Sequence, residues 1–230
     1  MPITELIFPT YKLDAESLTA LKTNESHIFS HLTNVNGLQA AFNGQILEHN
    51  GSPVDPKNVR TLLVLASFDA FYPKSEKFQA FINSVKPFVA APAVPELYEQ
   101  QERSIACTST NVTQIFKSTT SDTIEKAWEQ LKSSIRDQYS IADAPAFYHA
   151  TGIKNDQGKF LGLIGWQNLQ RDRHIRRSIL CFPDSAGLTH ENIQEYERVG
   201  KTSAVMARIH ELSNEAGGEV ENLVVQLGQI

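Results

Sequence analysis

The sequence is short of cysteine and of long uncharged stretches, and each shortage excludes a class of protein. Its 230 residues include only two cysteines, Cys107 and Cys181. They lie too far apart in sequence to predict a disulfide framework or a zinc site. No segment reaches the roughly 18 apolar residues that a membrane helix needs, and residues 1–17 lack the regions of a signal peptide. We therefore predict a cytoplasmic protein with no membrane partner.

Positive charge is also scarce. The chain has 21 Lys and Arg against 26 Asp and Glu, giving a net charge of −5 at pH 7, which disfavours binding to polyanions. One basic cluster exists, and it comprises Arg171, Arg173, Arg176 and Arg177. A run of this kind is typical of a solvated surface, so we predict no nucleic-acid partner.

The motifs that hold common cofactors are missing. The sequence contains no Gly-rich phosphate loop, no nucleophile elbow, no HExxH and no Cys/His cluster. We therefore predict no metal and no tightly bound cofactor. The residues leave open a haem ligated by His149 or His174, for which single histidines are weak support.

What the sequence does contain is one order of strand and helix patterns, written twice. In the first half, strands are predicted at 3–11, 39–48, 61–68 and 96–101, with helices after Asp14 and at 74–85. In the second half, strands are predicted at 111–117, 146–153, 160–166 and 221–227, with helices from Asp122 and at 190–214. This order predicts an α+β protein of two tandem ferredoxin-like βαββαβ units, 1–103 and 104–230. Each antiparallel sheet needs a cover for its second face, and its twin can supply one.

Two short segments support a duplication. AAFNGQILEHNG from Ala40 is similar to PAFYHATGIKNDQG from Pro145, and TLLVLASF (61–68) is similar to KFLGLIGW (159–166). In this alignment Phe68 corresponds to Trp166, and Glu76 falls where a histidine would match His174. The second copy is thus the better preserved one.

The strand that ends in Trp166, followed by QNLQRDR and His174, resembles the W-x-S-x-E-A-x-x-x-H pattern of the antibiotic biosynthesis monooxygenase-like proteins. These belong to the dimeric α+β barrel superfamily, which also includes the stress-responsive A/B barrel family. Gln167 and Asn168 follow the tryptophan, and the acidic position of the pattern is not clearly kept. The resemblance implies a barrel built within one chain, as a monomer or homodimer, with a cavity for a hydrophobic small molecule. Members of the superfamily include cofactor-free oxygenases, isomerases, cyclases or dehydratases, haem enzymes and proteins of unknown chemistry.

His149 and Tyr148 are the candidate catalytic residues. They are neighbours on one predicted strand and therefore point to opposite faces of the sheet. If the face of His149 lines the barrel, this histidine could remove a proton from an acidic phenol or carbonyl compound. If that face meets the helices, Tyr148 is the interior residue instead.

Five further residues are candidates for substrate binding: Trp166, Phe68, Asn222, Gln226 and His174. The aromatic residues could wall a planar substrate, and the two amides, which share a face with Val224, could orient it. Each also has a structural interpretation, because Trp166 fits a core position, His174 fits a basic surface, and strand amides can satisfy backbone groups.

The sequence therefore favours a small-molecule enzyme acting on a hydrophobic, aromatic or polyketide-like substrate inside a barrel cavity. Proton abstraction would be followed by cofactor-free oxygenation or by rearrangement. The alternative is a stress-associated or ligand-binding α+β barrel without catalysis, since no paired acid and base occurs in a short motif.

Overall fold

A computed structural model describes residues 3–54, 61–68, 74–100, 112–120, 122–137, 145–166 and 217–230, and positions 207, 210, 211 and 214. The strands are β1 (Ile3–Ile7), β2 (Thr10–Tyr11), β3 (Ala40–His49), β4 (Ser52–Pro53), β5 (Thr61–Phe68), β6 (Val89–Ala91), β7 (Glu96–Gln100), β8 (Val112–Ser118), β9 (Ala146–Gly152), β10 (Phe160–Gly165) and β11 (Val220–Gln229). The helices are α1 (Ala15–Ser30), α2 (Glu76–Val85) and α3 (Asp122–Arg136).

The predicted first strand, 3–11, is two strands in the structure. β1 ends at Ile7 and β2 begins at Thr10, with Pro9 between them, which has no N–H to donate to a continuous ladder. β2 leaves the main sheet and pairs with β6. The predicted cap of the first helix is confirmed, because the Asp14 side chain accepts a hydrogen bond from the Ser17 N–H at 2.8 Å.

The main sheet is antiparallel and closes on itself. Its order is β11-β8-β10-β9-β7-β1-β5-β3-β4, and β11 also pairs with β3. The closed part has eight long strands, and β4 is a two-residue extension beyond β3. The first four long strands are ordered β7-β1-β5-β3, and the last four are ordered β11-β8-β10-β9. The described architecture is therefore a mixed α+β fold around a curled antiparallel sheet.

Side chains fill the interior of this barrel, as eight strands leave just enough space for them to do. The interior cluster is apolar and draws on seven of the eight long strands: Leu6, Phe42, Ile46, Tyr98, Ile115, Tyr148, Ala150, Leu161, Leu163, Leu223, Val225 and Leu227. The outer face of the sheet carries two more cores. One packs against α3 and includes Trp128, Phe147, Phe160 and Trp166. The other packs against α1 and α2 and includes Ile28, Phe78 and Phe81.

No helix in the described ranges is both long enough and apolar enough to cross a membrane. The predicted helix at 190–214 lies largely outside the described residues, and so does His174.

Gly217 has a φ of 73° just before β11, a left-handed conformation that glycine adopts without strain.

Candidate functional site

The two candidate catalytic residues point to opposite sides of the sheet, and Tyr148 is the one inside. Its side chain is fully buried in the interior cluster, and its hydroxyl lies 2.6 Å from Thr4 Oγ1. His149 lies on the outer face, where its ring stacks on Phe160 at a centroid distance of 6.1 Å. Of the two orientations that the sequence left open, the structure has the one with Tyr148 inward.

The sequence left Trp166 two roles, a core position or a wall for a planar substrate. Its side chain is buried in the outer cluster beneath α3, so it does not line the barrel interior. Alternation along β10 explains this, since Leu161 and Leu163 point inward and residues of the opposite parity point outward. Phe68 ends β5, where its backbone pairs with Ile3.

The two candidate amides also lie outside the barrel. Asn222 and Gln226 share the outer face of β11 with Val224, which packs in the outer cluster, and Gln226 is exposed. Asn222 Oδ1 accepts a hydrogen bond from Gln114 Nε2 at 3.2 Å. Its backbone N–H donates to Asn50 Oδ1 at 2.8 Å. Asn222 thus holds β11 beside the β3–β4 turn. Of the predicted site residues whose side chains the structure describes, only Tyr148 lies in the interior cluster.

A cavity of about 750 Å³ lies instead on the outer face of the sheet, between β1 and helices α1 and α2. This volume is typical of small-molecule sites. Its walls are mostly apolar: Ile3, Ile7, Pro9, Tyr11, Phe29, Phe78, Phe81, Ile82, Val85, Val89, Ala90, Ala91, Pro92, Ala93, Pro95 and Leu97. The polar residues at its boundary are Glu5, Asn43, Asn83, Lys86 and Lys154.

Three stacked phenylalanines form the helical wall of this cavity. The Phe78 and Phe81 ring centroids are 6.0 Å apart, and those of Phe29 and Phe81 are 6.3 Å apart. Opposite them, the segment at 89–95 contributes alanines and prolines, whose small side chains leave the space between helix and sheet unfilled. The result is an aromatic slot with a wall of small residues.

Glu5 is the one carboxylate among the described residues that line the cavity. It sits at the centre of β1 on the same face as Ile3 and Ile7, and its side chain is only 6% exposed. Burial raises the pKa of Glu5 from 4.5 to about 7, and the positive charge of Lys154 offsets part of that rise. No described side chain is hydrogen-bonded to its carboxylate. Glu5 is therefore a carboxyl group with a raised pKa that faces an apolar space.

Glu5 is not among the site residues predicted from the sequence, because one glutamate in a predicted strand is usually a solvent-facing residue. The available signal was its position, since the sequence ITELI places Glu5 on the same face as two isoleucines. A charge with apolar neighbours on its own face is either exposed beside them or buried with them. Helices α1 and α2 cover this face in the folded structure, and the local sequence around Glu5 does not show that packing.

A second, polar pocket of about 580 Å³ lies at one end of the sheet. Lys117 Nζ bridges Glu96 at 3.0 Å and Glu221 at 2.6 Å, and His49 Nε2 lies 2.9 Å from the other oxygen of Glu221. Burial acts to raise the pKa of Glu221, but the hydrogen bonds and charges of Lys117 and His49 outweigh it and lower that pKa. These charged and polar side chains pair with one another, so we interpret this pocket as an ion-pair cluster that joins β3, β7, β8 and β11. Within the described residues, no three potential metal ligands lie close enough to hold a metal ion.

No protein-family model matches this chain, and no curated protein sequence is similar to it. Three solved structures are similar along almost the whole length. A proposed monooxygenase from Fusobacterium nucleatum subsp. nucleatum is 9% identical, covers 98% of this chain and 92% of its own, and has a TM-score of 0.54. A proposed monooxygenase from Lactobacillus acidophilus is 10% identical, covers 100% of this chain and 98% of its own, and has a TM-score of 0.55.

The third is a proposed chlorite dismutase that is 10% identical, covers 99% of this chain and 95% of its own, and has a TM-score of 0.55. Identities of 9% to 10% show a shared fold and do not carry residues across. Activity has to be argued from the cavity and Glu5.

Proposed function

We propose that this protein is a small-molecule enzyme that binds a hydrophobic, aromatic substrate in the cavity between β1 and helices α1 and α2. Glu5 is its general base. The observation that carries the proposal is a nearly buried carboxylate, with a pKa of about 7, on the wall of an otherwise apolar cavity. A base works best when its pKa is near the working pH, so this environment suits proton abstraction.

The proposed chemistry starts with transfer of a proton from an activated C–H or O–H group of the substrate to the Glu5 carboxylate. The substrate anion then adds molecular oxygen or rearranges. If the anion is carbon-centred, addition of oxygen and a proton gives a hydroperoxide, and loss of water leaves a carbonyl group. The substrate supplies the electrons, so this route requires no bound cofactor. The fold shared with two proposed monooxygenases supports the oxygenase branch.

This proposal moves the base from Tyr148 and His149 to Glu5. Tyr148 shares a hydrogen bond with Thr4 inside a filled core, so a substrate would have to displace that core to reach it. His149 stacks on Phe160, outside the residues that line the cavity. Trp166, Asn222 and Gln226 are likewise absent from the cavity lining, and we propose structural roles for them.

Oxygen uptake with a panel of aromatic phenols and 1,3-dicarbonyl compounds tests the proposal. The unaltered protein should consume oxygen with at least one class, and its rate should rise with pH through an inflection near pH 7, where Glu5 ionises. Glu5→Gln should lose at least about 100-fold of that rate, as expected for a general base. Unchanged turnover in Glu5→Gln would rule Glu5 out as the base.

A ligand-binding barrel without catalysis is the second candidate. It is favoured by one observation, that no described residue is placed beside Glu5 as a partner acid. Binding of the same aromatic compounds with no oxygen uptake and no product would support it. An absorbance spectrum of the purified protein adds a separate check, since a Soret band would show a bound haem.

We also propose that the chain is a tandem repeat of two ferredoxin-like βαββαβ units, 1–103 and 104–230. The matching strand orders of the two halves support this, and so does a match between Thr4-Glu5-Leu6 in β1 and Thr113-Gln114-Ile115 in β8. Both threonines are fully buried, and Leu6 and Ile115 both face the interior.

The two proposed units differ at the position of Glu5. Gln114 takes its place in β8 and is fully buried, with its Oε1 lacking a hydrogen-bond partner among the described residues. Trp128 of α3 packs closely against β10, where a Cβ added at Gly162 would lie 2.6 Å from its ring. We therefore propose one catalytic cavity per chain, in the first unit.

A further inference from the structure

Lys154 lies on the turn between β9 and β10 but lines the cavity built by β1, α1 and α2. It is thus a second charged group at the site of Glu5, supplied by a distant part of the sequence. Lys86 is the other cation at the cavity boundary. Of these two cations, Lys154 is the one whose positive charge lowers the pKa of Glu5.

The turn that carries Lys154 is clamped to the strand beside Glu5. The N–H of Ile153 donates to the Leu97 carbonyl at 2.9 Å, and the N–H of Leu97 donates to Asp156 Oδ2 at 3.0 Å. Leu97 lies directly opposite Glu5 in the ladder between β1 and β7. The N–H and the carbonyl of Leu97, the residue paired with Glu5, therefore both hold the turn that carries Lys154.

The backbone of Lys154 is strained. Its φ is 56°, a left-handed conformation that is unfavourable for residues with a Cβ atom. The two other described non-glycine residues with positive φ are Asn34 and Asn50, and asparagine tolerates this conformation far better than lysine. Backbone strain of this kind clusters at functional sites, and this motivates a functional role for the Lys154 side chain.

The Lys154 ammonium is also available to bind a ligand. In the described ranges no carboxylate lies within ion-pair distance of it. Asp156, on the same turn, is instead paired with Lys159 at 2.7 Å. An unpaired cation at the edge of an apolar cavity attracts an anionic group of a bound molecule, because the surroundings screen the charge less than water does.

We propose that Lys154 binds the oxyanion that forms when Glu5 deprotonates the substrate, so that the site selects weakly acidic aromatic molecules such as phenols and enolisable aromatic ketones. This inference rests on the proposed function. The proton moves from the substrate O–H, or from the C–H beside a carbonyl, to the Glu5 carboxylate. The negative charge moves from Glu5 to the substrate oxygen. Lys154 faces one anion before the transfer and one after it, so the net charge of the site does not change.

Binding of 4-nitrophenol tests this, because its phenolate is coloured and its neutral form is not. The methyl ether 4-nitroanisole has the same ring and cannot ionise. The unaltered protein should bind 4-nitrophenol as the phenolate at about pH 6, where much of the free probe is protonated, and thus lower its apparent pKa. Lys154→Gln should weaken 4-nitrophenol binding about 5- to 10-fold, as expected for the loss of one charge interaction. It should leave 4-nitroanisole binding unchanged.

Three further variants separate charge from structure. Lys154→Arg should retain the selectivity for the phenolate. Lys154→Gly should lose it while melting at the same or a higher temperature, because glycine relieves the left-handed backbone. Lys126→Gln, an equal charge change at an exposed position of α3, should behave as the unaltered protein.

The inference is overturned if Lys154→Gln loses equal affinity for both probes, or for neither. Failure of the proposed function looks different. In that case no compound in the panel supports oxygen uptake or gives a rearranged product, while Lys154→Gln still loses phenolate selectivity. Retained turnover together with unchanged selectivity in Lys154→Gln would reject the role of Lys154 and leave Glu5 as the base.

Discussion

At the scale of a residue, Glu5 links function and stability. Its folded-state pKa of about 7 lies above its ordinary value of 4.5, so the folded protein holds this proton more tightly than the unfolded chain does. The resulting stabilisation is complete below pH 4.5 and is lost as the pH rises towards 7. At about 1.4 kcal/mol per pKa unit, the loss is roughly 3 kcal/mol above pH 7.

Glu5→Gln should therefore stabilise the protein at high pH. A neutral amide avoids the burial of a charge, so we expect the free energy of unfolding to rise by roughly 2–3 kcal/mol at about pH 8 and to change little at about pH 4. Urea unfolding at the two pH values measures this. Glu219→Gln is the control, because that side chain is exposed and should show no such pH dependence. An equal effect of Glu5→Gln at both pH values would mean that Glu5 is not a buried, titrating group.

The sequence predicts the positions of the strands better than which of their faces lies inside. Alternation placed Tyr148 and His149 on opposite faces, but only the tertiary structure decides which face is interior. Alternation did not single out Glu5 either, because burial of this residue depends on how α1 (Ala15–Ser30) and the distant α2 (Glu76–Val85) pack on β1. A base was expected, and a different residue supplies it in our proposal.

At the scale of an element, α3 packs against β10 through the contact of Trp128 with Gly162. A Cβ at position 162 would lie within 2.6–2.9 Å of three ring atoms of Trp128. The ring is held on other sides by Phe116, Phe147 and Phe160, with centroid distances of 5.6–6.1 Å. It has little room to move.

Gly162→Ala should cost about 1–3 kcal/mol of unfolding free energy, as overpacking of a core does. Combining it with Trp128→Phe should cost less than the sum of the two single changes, because the smaller ring makes space for the added methyl group. Thermal or urea unfolding of the four proteins measures the coupling. Strict additivity would show that the two residues are not in contact.

The turn after β9 also leaves no space for a Cβ atom at Gly152. A Cβ there would lie 1.9 Å from the backbone oxygen of Asp156, and a backbone atom in a clamped turn cannot easily move away. We expect Gly152→Ala to destabilise the protein by at least about 2 kcal/mol and to disturb Lys154 with it. Gly228→Ala is the matched control, because its Cβ would meet nothing closer than 3.9 Å. Equal midpoints of urea unfolding for the two variants would contradict the clamped turn.

Most strands and helices were predictable because each has a clear apolar period and a turn or cap at its end. The alignment of the halves was harder. Matching Phe42 to Phe147 by letter pairs an interior residue with one on the outer face. A shift of one residue in a strand reverses its faces. The ladders agree better when Phe42, opposite Val64, is matched to Tyr148, opposite Leu163.

At the scale of the whole molecule, closure of the sheet is the main structural event. The pairing of β11 with β3 joins the C-terminal strand to an early one. Asn50 and Asn222 reinforce the seam, where the Asn50 N–H donates to the Asn222 carbonyl at 2.7 Å. The side chain of Glu221 on β11 also contacts His49 Nε2 of β3 across the seam at 2.9 Å, and Lys117 of β8 holds Glu221 from the other side of β11 at 2.6 Å. The sequence pattern does not predict the pairing of β11 with β3, because strand order depends on tertiary contacts.

Closure also decides how this chain should behave in solution. An open four-stranded sheet leaves unpaired edges and an uncovered face, and it tends to associate with another copy. Here each of the eight long strands has a neighbour on both sides, and the interior face is filled from one chain. We therefore expect light scattering to give a mass of 25.7 kDa, independent of concentration. Twice that mass at micromolar concentration would point to an interface on the outer surface, since each long strand in the described ranges is paired on both sides. In that case the surface to test first lies around the Glu5 cavity, where Ile82 of the cavity lining and Val94 of the adjoining segment are exposed. Charged substitutions at these two residues should return the protein to a monomer if the rim forms the contact.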